Sequence, residues 1–321
     1  MLEEIIEDIK RLAPKKIAVQ LPEGLKSKWL EVEAELSDYE VVFLGESCFG
    51  ACDLRDHEAK EVGADILIHI GHSHMSVETE LKTFFVEYHS DLDISKVVKQ
   101  AANDMVEENI GLVTTVQHIH KLGEAQKLLE EYSKKVFIGK PEGRALHTGQ
   151  LLGCDASAAA EVKDKVDCYL YIGTGDFHPI AVALDTGKKV YIADPEKDEV
   201  RTANEQADKF LKRRFAKIEK AKKAKTFGIL LSLKKGQKRE KLANVLKESV
   251  ERAGRKAVLI ALNDFSPDKL LGFRVDAYVN TACTRIAIDD ADIYEKPMLN
   301  PMEMDIALGK RKWEDYELDR F

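Results

Sequence analysis

Three cysteines in this chain have the sequence surroundings of ligands rather than of core residues. Cys52, Cys154 and Cys283 each fall in a turn between a predicted strand and a predicted helix, and such turns are where α/β folds bind ligands. Cys168 instead falls inside a predicted strand, which favours a buried structural thiol. A 4Fe-4S cluster held by three cysteines keeps one iron open to a substrate, so the turn cysteines predict a catalytic cluster.

A fourth cysteine, Cys48, forms a CxxxC pair with Cys52. The pair can bind a metal or act in redox chemistry, but position 55 is Arg, so the three clustered cysteines of the common radical S-adenosylmethionine signature are absent. The chain has five cysteines, an odd number spread widely, which is not a secreted disulfide framework. The wide spacing of the turn cysteines has no motif specificity, and a core position is the alternative for each.

Three histidines, His69, His72 and His74, crowd the end of a predicted strand in the run HIGHSH. They can form a metal site, but no carboxylate or cysteine stands at the usual ligand spacing, so zinc is the weaker interpretation. The segment GTGDFHP at 173–179 is typical of a turn that lines a cofactor. Its glycine pattern is incomplete for a dinucleotide fingerprint, and it does not follow the first strand.

The segment QLPEGLK at 20–26 follows the first predicted strand. Its glycine turn and helix N-terminus can bind an anion such as a carboxylate. An ordinary strand-to-helix turn is the alternative.

Apolar runs alternate with amphipathic charged stretches, a pattern that predicts an α/β fold with parallel sheets. The predicted helices include 121–134 and 239–252. The predicted strands are 16–21, 41–44, 66–70, 84–86, 112–116, 136–138, 169–172, 190–192, 227–231, 257–260 and 277–279.

The strand sets repeat one plan three times. Asp65, Asp167 and Asp276 each follow a small apolar residue and precede a short strand that ends in small residues. We therefore predict three α/β domains, 1–92 with Cys52, 93–197 with Cys154, and 198–321 with Cys283 and a basic lead-in helix.

Composition limits the class of protein. The chain has 44% hydrophobic and 33% charged residues and no long apolar run, so we expect no membrane span. The acidic amphipathic N-terminus is unlike a signal or transit peptide, which makes the cytoplasm the expected compartment. A net charge of −8 argues against direct nucleic-acid binding by the whole molecule.

The charged stretch 197–225 contains a basic segment, 209–225, in which apolar residues recur at helical spacing. One interpretation is a linker helix with a solvated face. The other is a docking surface for a macromolecular partner.

Together these segments resemble the archaeal form of the 2-(3-amino-3-carboxypropyl)histidine synthase family, which carries out the first step of diphthamide synthesis. The resemblance covers nearly the whole chain in order. Its stretches are QLPEGLK (20–26), FGACDL (49–54), GADILIHIGHS (63–73), GQLLGCD (149–155), GTGDFHPIAVAL (173–184), GQ (236–237), VDAYVNTACTRIAIDD (275–290) and KPMLNPME (296–303).

The resemblance implies three similar Rossmann-like α/β domains with parallel sheets, in a pseudo-threefold arrangement around a central 4Fe-4S cluster. By motif, the metal ligands are Cys52, Cys154 and Cys283.

The family implied by this resemblance is a noncanonical radical S-adenosylmethionine transferase. An electron from the cluster cleaves the bond between sulfur and Cγ, which releases methylthioadenosine. The 3-amino-3-carboxypropyl group is then joined to C2 of a histidine imidazole on translation elongation factor 2. The resemblance also implies a homodimer and an external electron donor.

Motif positions further predict the residues that contact S-adenosylmethionine. Gln237 and Arg285 are expected at its carboxylate, since a guanidinium can bind a carboxylate bidentately. Structural capping or hydrogen bonding is the alternative role for these residues. The full predicted set is Pro22, Glu23, Gly24, His178, Gly236, Gln237, Arg285 and Asp289.

Two positions depart from the family pattern. Thr284 stands where the family commonly has proline, which changes the stiffness of the turn but leaves the Cys283 thiol. Cys48 is an extra cysteine, and in air it can form a disulfide with Cys52.

Two other functions share this layout. A quinolinate-synthase-like dehydratase would use the open iron as a Lewis acid, but the FHP and ACTR segments favour the diphthamide family. A structural zinc in an assembly protein lacks a clear fourth ligand.

Overall fold

The computed structural model describes residues 1–288 and 293–319. These residues form two compact units. The first comprises Met1–Asp91, Val116–His120 and Lys234–Gly236, and the second comprises Leu92–Thr115, Lys121–Leu233 and the chain from Gln237 on. In the part of the chain that the structure describes, no helix has the length and apolarity needed to cross a membrane.

The first unit contains a four-stranded parallel sheet of order β2-β1-β3-β4. A 3-10 turn, Glu23–Lys28, follows the first strand. The elements are α1 Ile6–Leu12, β1 Lys16–Gln20, α2 Trp29–Glu35, β2 Glu40–Leu44, α3 Asp56–Glu61, β3 Ile66–Ile70 and β4 Lys82–Val86.

The second unit contains two further sheets. The five-stranded sheet has the order β6-β5-β7-β8-β9, in which only the edge strand β9 is antiparallel. A 3-10 turn, Val116–Lys121, follows β5. The elements are α4 Ser95–Asp104, β5 Asn109–Thr114, α5 Leu122–Glu131, β6 Lys135–Phe137, α6 Ser157–Val162, β7 Cys168–Ile172, α7 Phe177–Thr186, β8 Lys189–Asp194 and β9 Glu199–Thr202.

The third sheet is parallel, with the order β11-β10-β12-β13. In chain order, a 3-10 turn, Lys235–Gln237, follows β10, and another, Trp313–Asp315, follows the last helix. The elements are α8 Asn204–Ala221, β10 Thr226–Ser232, α9 Glu240–Arg252, β11 Lys256–Leu262, α10 Pro267–Leu271, β12 Ala277–Asn280, α11 Arg285–Ile288, β13 Met298–Leu299 and α12 Pro301–Ala307.

All three sheets place their first four strands in the same order, second, first, third, fourth. This order is that of doubly wound α/β folds, in which ligands bind at the carboxyl ends of the strands. The predicted α/β fold class of three similar Rossmann-like sheets is therefore confirmed. The domain boundaries at 92/93 and 197/198 stay predictions.

The aspartates of the sequence repeat have one structural role. The carboxylate of Asp65 accepts hydrogen bonds from the backbone N–H groups of Lys15 (2.7 Å) and Lys16 (2.9 Å), at the start of β1. Asp167 does the same at the start of β5, and Asp276 at the start of β10. These backbone donors lower the pKa of all three carboxyl groups below the ordinary range. The repeated aspartate, which stands just before the third strand of each sheet, thus binds the backbone at the start of the first strand.

The structure corrects the sequence reading in three places. The strand predicted at 112–116 is Asn109–Thr114, and Val116 begins a 3-10 turn. The charged stretch 197–225 begins with strand β9, which is half-buried at a sheet edge, where charged side chains are tolerated. The short strand β13 was not predicted.

The basic segment 209–225 is only partly a solvated face. Most of it lies in α8, which buries Phe210 and Ile218. The same helix buries Arg214, which is 2% exposed. Phe215 is half-exposed and packs edge-to-face on Trp313, with ring centroids 5.1 Å apart.

Candidate metal centre and cofactor site

The structure places the three turn cysteines at the carboxyl ends of strands, one for each sheet. Cys52 lies between β2 and α3, Cys154 lies just before α6, and Cys283 lies between β12 and α11. All three are partly exposed cysteines that form no disulfide. Cys48 and Cys168 are buried free thiols, and burial raises the pKa of each to about 12. The predicted separation of Cys168 from the turn cysteines is therefore confirmed.

In the second unit, the turns that carry Cys154 and Cys283 border one pocket. Its lining includes Gly153 and Cys154 from one turn and Thr284, the neighbour of Cys283, from the other. Leu318 and Asp319, near the C-terminus, complete part of the wall. Two of the three predicted ligand turns thus meet at a single cavity.

The aromatic ring of Phe177 packs against Gly153, the residue before Cys154. A side chain at Gly153 would place its Cβ 2.3 Å from the Phe177 ring, so only glycine allows this ring to lie so close. The Arg285 guanidinium lies 5.2 Å from the centre of the same ring, within cation–π range. Phe177, which we did not predict as a site residue, therefore positions the predicted carboxylate-binding Arg285.

His178 follows Phe177 at the start of α7. Its ring stacks on Tyr171, with centroids 6.1 Å apart. Burial, together with the positive charge of Arg285, lowers the pKa of His178 to about 4. At neutral pH this side chain is a neutral imidazole that can donate or accept a hydrogen bond.

The Cys283 turn is fixed by side chains that sequence reasoning missed. Arg239 Nε donates to the carbonyl of Thr281 (2.8 Å), and its Nη2 donates to that of Ala282 (3.3 Å). Asn280 donates from Nδ2 to the Cys283 carbonyl (2.8 Å). Arg239 also forms an ion pair with Asp319 of the pocket wall. One guanidinium thus joins the Cys283 turn to the segment that lines part of the pocket.

Arg239→Gln is expected to loosen this turn. Hydrogen bonds to a charged group contribute about 1.5–3 kcal/mol, so a cluster loaded into the variant should be lost to an iron chelator several-fold faster. Arg252→Gln is the matched control, because Arg252 belongs to the adjoining helix α9 and pairs only with exposed Glu248 in the contacts described. Equal rates of iron loss from the two variants would contradict a positioning role for Arg239.

In the first unit, the Cys52 turn is held by the segment Lys234–Gly236, which follows β10 in the chain. Lys234 Nζ forms a buried ion pair with Asp53 (2.7 Å) and lies 5.2 Å from the centre of the Phe49 ring. Lys235 Nζ pairs with the buried carboxylate of Asp56 (2.8 Å). Both lysines therefore anchor the backbone that flanks Cys52.

Gly236 lies directly against Cys52. A Cβ at position 236 would be 2.5 Å from Cys52 Cα and 2.7 Å from its carbonyl oxygen. These contacts are with backbone, which cannot turn away as a flexible side chain can. The predicted role of Gly236 in cofactor binding stays a prediction, and close packing on a ligand turn is a sufficient reason for glycine there.

Gly236→Ala is expected to displace the Cys52 turn. Overpacking of this kind costs about 1–3 kcal/mol, so the variant should unfold at lower denaturant concentration and bind less iron on reconstitution. Gly45→Ala serves as the control, because a Cβ at Gly45 would meet nothing within 4 Å. Normal iron content in Gly236→Ala would show that the turn adapts freely.

The other residues predicted to contact S-adenosylmethionine differ in exposure. Glu23 is exposed and pairs with Lys26 (2.6 Å), Gly24 is exposed, and Pro22 packs against Gly71. Gln237 is 4% exposed. Asp289 lies outside the described residues.

The three histidines of the run HIGHSH differ in burial, and the structure places only His69 and His72 side by side. His69 is buried near the end of β3, and His72 lies beside it. His69 Nε2 and His72 Nδ1 are 3.0 Å apart. Burial lowers the pKa of His69 well below its ordinary value and that of His72 to about 4. His74 is exposed and packs edge-to-face on Phe85. No cysteine stands at the usual ligand spacing in the sequence, but the fold brings Cys48 next to His69 and His72.

The side chains at the turn cysteines fit an iron–sulfur cluster. Three partly exposed thiols supply the soft ligands that iron–sulfur clusters need. Beside Cys283, the Thr284 hydroxyl is buried without a hydrogen-bond partner among residues 1–288 and 293–319. It is therefore available to donate to a cluster sulfur or to a bound cofactor.

Comparisons with known proteins show which family the chain resembles. The family model for "Putative diphthamide synthesis protein" matches residues 21–317. The chain is 39% identical over 320 residues to the 2-(3-amino-3-carboxypropyl)histidine synthase of Pyrococcus horikoshii, covering 98% of this chain and 92% of that protein. It is 31% identical over 347 residues to the protein of the same name from Methanocaldococcus jannaschii, covering 99% and 93%.

A crystal structure of Dph2 from Pyrococcus horikoshii with a 4Fe-4S cluster matches with a TM-score of 0.91 at 38% identity, covering 99% of this chain and 92% of that one. Fold and site together define an α/β protein of three like sheets with partly exposed cysteines at the carboxyl ends of its strands. The chain belongs to the diphthamide synthesis protein family, which confirms the predicted resemblance.

Proposed function

We propose that this protein is a transferase that carries out the first step of diphthamide biosynthesis. It transfers the 3-amino-3-carboxypropyl group of S-adenosylmethionine to C2 of a histidine imidazole on translation elongation factor 2, and methylthioadenosine is released. Cys52, Cys154 and Cys283 hold a 4Fe-4S cluster. When bound, this cluster supplies the electron that breaks the bond between sulfur and Cγ.

One observation carries the proposal. Each of three sheets of the same topology presents one partly exposed cysteine at its carboxyl ends, whereas Cys48 and Cys168 are buried. The 39% identity to a 2-(3-amino-3-carboxypropyl)histidine synthase over nearly the whole chain supplies the reaction.

The residues around Cys154 and Cys283 have complementary roles in this reaction. Arg285, stacked on Phe177, binds the carboxylate of S-adenosylmethionine, and buried Gln237 donates or accepts a hydrogen bond near it. Neutral His178 lies beside Arg285 without competing for the carboxylate as a second cation would. Pro22, Glu23, Gly24, Gly236 and Asp289 complete the proposed contacts.

The proposed partners follow from the reaction. The protein substrate is translation elongation factor 2, and an external electron donor reduces the cluster. The chain acts as a homodimer in the cytoplasm, where thiols stay reduced. No membrane or nucleic acid takes part directly.

The decisive experiment is anaerobic. The cluster is reconstituted, reduced with dithionite and mixed with S-adenosylmethionine, and the products are separated by chromatography. Methylthioadenosine is the expected product, and with archaeal elongation factor 2 present one histidine-containing peptide should gain a 3-amino-3-carboxypropyl group. An elongation factor whose target histidine is replaced by alanine is the control.

Either of two results would overturn the proposal. One is a fully loaded, reducible cluster that gives no cleavage of S-adenosylmethionine. The other is cleavage that yields deoxyadenosine in place of methylthioadenosine, since this product would mean that a different carbon–sulfur bond is broken.

The basic face of α8 is our candidate surface for the elongation factor. Lys209 and Lys212 are exposed and stand on one face of the helix, three residues apart. Replacing both by Glu should slow transfer to the elongation factor, more so at low salt, because charged rims act mainly on association rates. Methylthioadenosine formation without the elongation factor should not change. Lys127→Glu, at an exposed position of α5, is the control, and equal transfer rates for both variants would exclude this surface.

A further inference from the structure

A second group of metal-binding side chains lies in the first unit and takes no part in the proposed reaction. One ligand atom from each of Cys48, His69 and His72 lies within 4.8 Å of the other two. Cys48 is 3% exposed and His69 is 0% exposed. We propose that these three side chains bind one divalent metal ion of the zinc type, at a site separate from the iron–sulfur cluster.

The sheet order explains why these residues meet. In the parallel register, Gln20 at the end of β1 stands beside Leu44 at the end of β2 and beside His69 near the end of β3. Cys48 comes four residues after Leu44, and His72 comes three after His69. The carboxyl ends of parallel strands lie on one edge of the sheet, so the ligands reach the same edge from two different turns.

The buried amide of Gln20 fixes the tautomer of His69. Its Nε2 donates to the carbonyl of Asp53 (2.7 Å), and its Oε1 accepts from the N–H of Arg55 (3.3 Å). Oε1 therefore faces His69 Nδ1, which is 3.0 Å away and must carry the proton. His69 Nε2 is left with its lone pair directed toward His72 Nδ1. Outer contacts of this kind orient the imidazole ligands of metal sites.

The sequence repeat adds an independent argument. In the aligned segments that follow Asp65 and Asp276, His72 occupies the position of Cys283. The corresponding residue of the second repeat is Thr174, which is a poor metal ligand. This position of the repeat thus has a residue that can bind a metal in two of the three repeats. The role of Cys283 as a ligand rests on the proposed function.

The donor set selects the metal. One thiolate and two neutral imidazoles suit Zn²⁺ and its analogue Co²⁺, and they do not suit Mg²⁺ or Ca²⁺, which prefer oxygen. Three protein ligands leave a fourth position for water. Binding removes the thiol proton of Cys48, which passes to solvent. The bound ion would join the turn after β2, which carries Cys52, to the turn after β3.

Cobalt binding to a cluster-free chain tests the site. Cys52→Ala, Cys154→Ala and Cys283→Ala together leave Cys48 and Cys168 as the only thiols. After circular dichroism has verified folding, anaerobic titration with Co²⁺ should give a thiolate-to-cobalt absorption band that saturates at one ion per chain and disappears when Zn²⁺ is added. A further Cys48→Ser or His72→Ala change should abolish the band. Gln20→Leu should weaken binding about 10- to 100-fold.

His74→Ala and Cys168→Ala are the matched controls and should leave the band intact. No band, or a band that survives Cys48→Ser, overturns the site. Should the cluster-free chain not fold, zinc-edge X-ray absorption of the cluster-loaded parent decides the question. One sulfur and two imidazole nitrogens around zinc are expected, whereas absence of zinc or an all-sulfur shell overturns the proposal.

Discussion

Replacing Cys52, Cys154 or Cys283 by alanine is expected to eliminate methylthioadenosine formation and to remove most of the iron bound on reconstitution. A cluster of this type takes its protein ligands from cysteine thiolates, and these three are the partly exposed cysteines at the ends of strands. With one thiolate gone, two irons lack a protein ligand, which leaves the cluster open to loss. Visible absorbance, iron and sulfide content and the methylthioadenosine assay measure the effect.

Cys168→Ala is the matched control for these variants. Cys168 lies within β7 and is fully buried, where its Sγ contacts only the Met105 sulfur among the hydrogen-bonding contacts described. Its loss should cost some packing energy but leave iron content and turnover close to those of the parent. If Cys168→Ala lost the cluster while one of the turn variants kept it, the ligand assignment would be wrong.

Local pattern was enough to predict most of the fold. Largely apolar runs correspond to β3 and β7, whose residues are buried throughout. Strand β9 escaped prediction because charged residues at a sheet edge need no apolar run. The distinction between Cys168 and the turn cysteines was equally local, since it depended on strand periodicity alone.

Contacts between distant segments were beyond such reasoning. Cys48 and His72 are 24 residues apart in the sequence, and no ligand spacing joins them, yet the parallel register brings both to one sheet edge. Gly236 was predicted from motif position, whereas its close approach to the Cys52 backbone is a property of tertiary packing. Arg239 gave no signal in the sequence, because a partly buried arginine that binds carbonyl groups cannot be told from any other charged residue at the start of a helix.

Arg214 shows the same limit within a single helix. In the sequence it belongs to the basic run 209–225, but in the structure it is 2% exposed and faces Glu303, which is 1% exposed. Its Nε donates to Glu303 Oε1 (2.7 Å), and its Nη2 donates to the Met298 carbonyl (2.8 Å). Its Nη1 donates to the carbonyl of Ala287, in α11 directly after Cys283. One side chain thus connects α8, β13 and α12 with the helix that follows a proposed ligand.

Among substitutions of charged residues in α8, Arg214→Met is therefore expected to lower the free energy of unfolding the most. It leaves the Glu303 carboxylate buried without its cation, and breaking a buried pair in this way costs about 3–5 kcal/mol. The midpoint of urea unfolding, followed by circular dichroism, should fall accordingly. Arg213→Met, the exposed neighbour in the same helix, should change stability by less than about 0.5 kcal/mol.

The double variant Arg214→Met, Glu303→Gln separates the charge from the packing. Glu303 also accepts the N–H of Asn300 (2.7 Å) at the start of α12, and a glutamine carbonyl can keep that bond. Removal of the stranded charge should therefore recover a large part of the lost stability, since replacing a whole buried pair is often close to neutral. If the double variant were as unstable as the sum of the two single variants, Arg214 would act through packing and its carbonyl contacts, and the ion pair itself would contribute little.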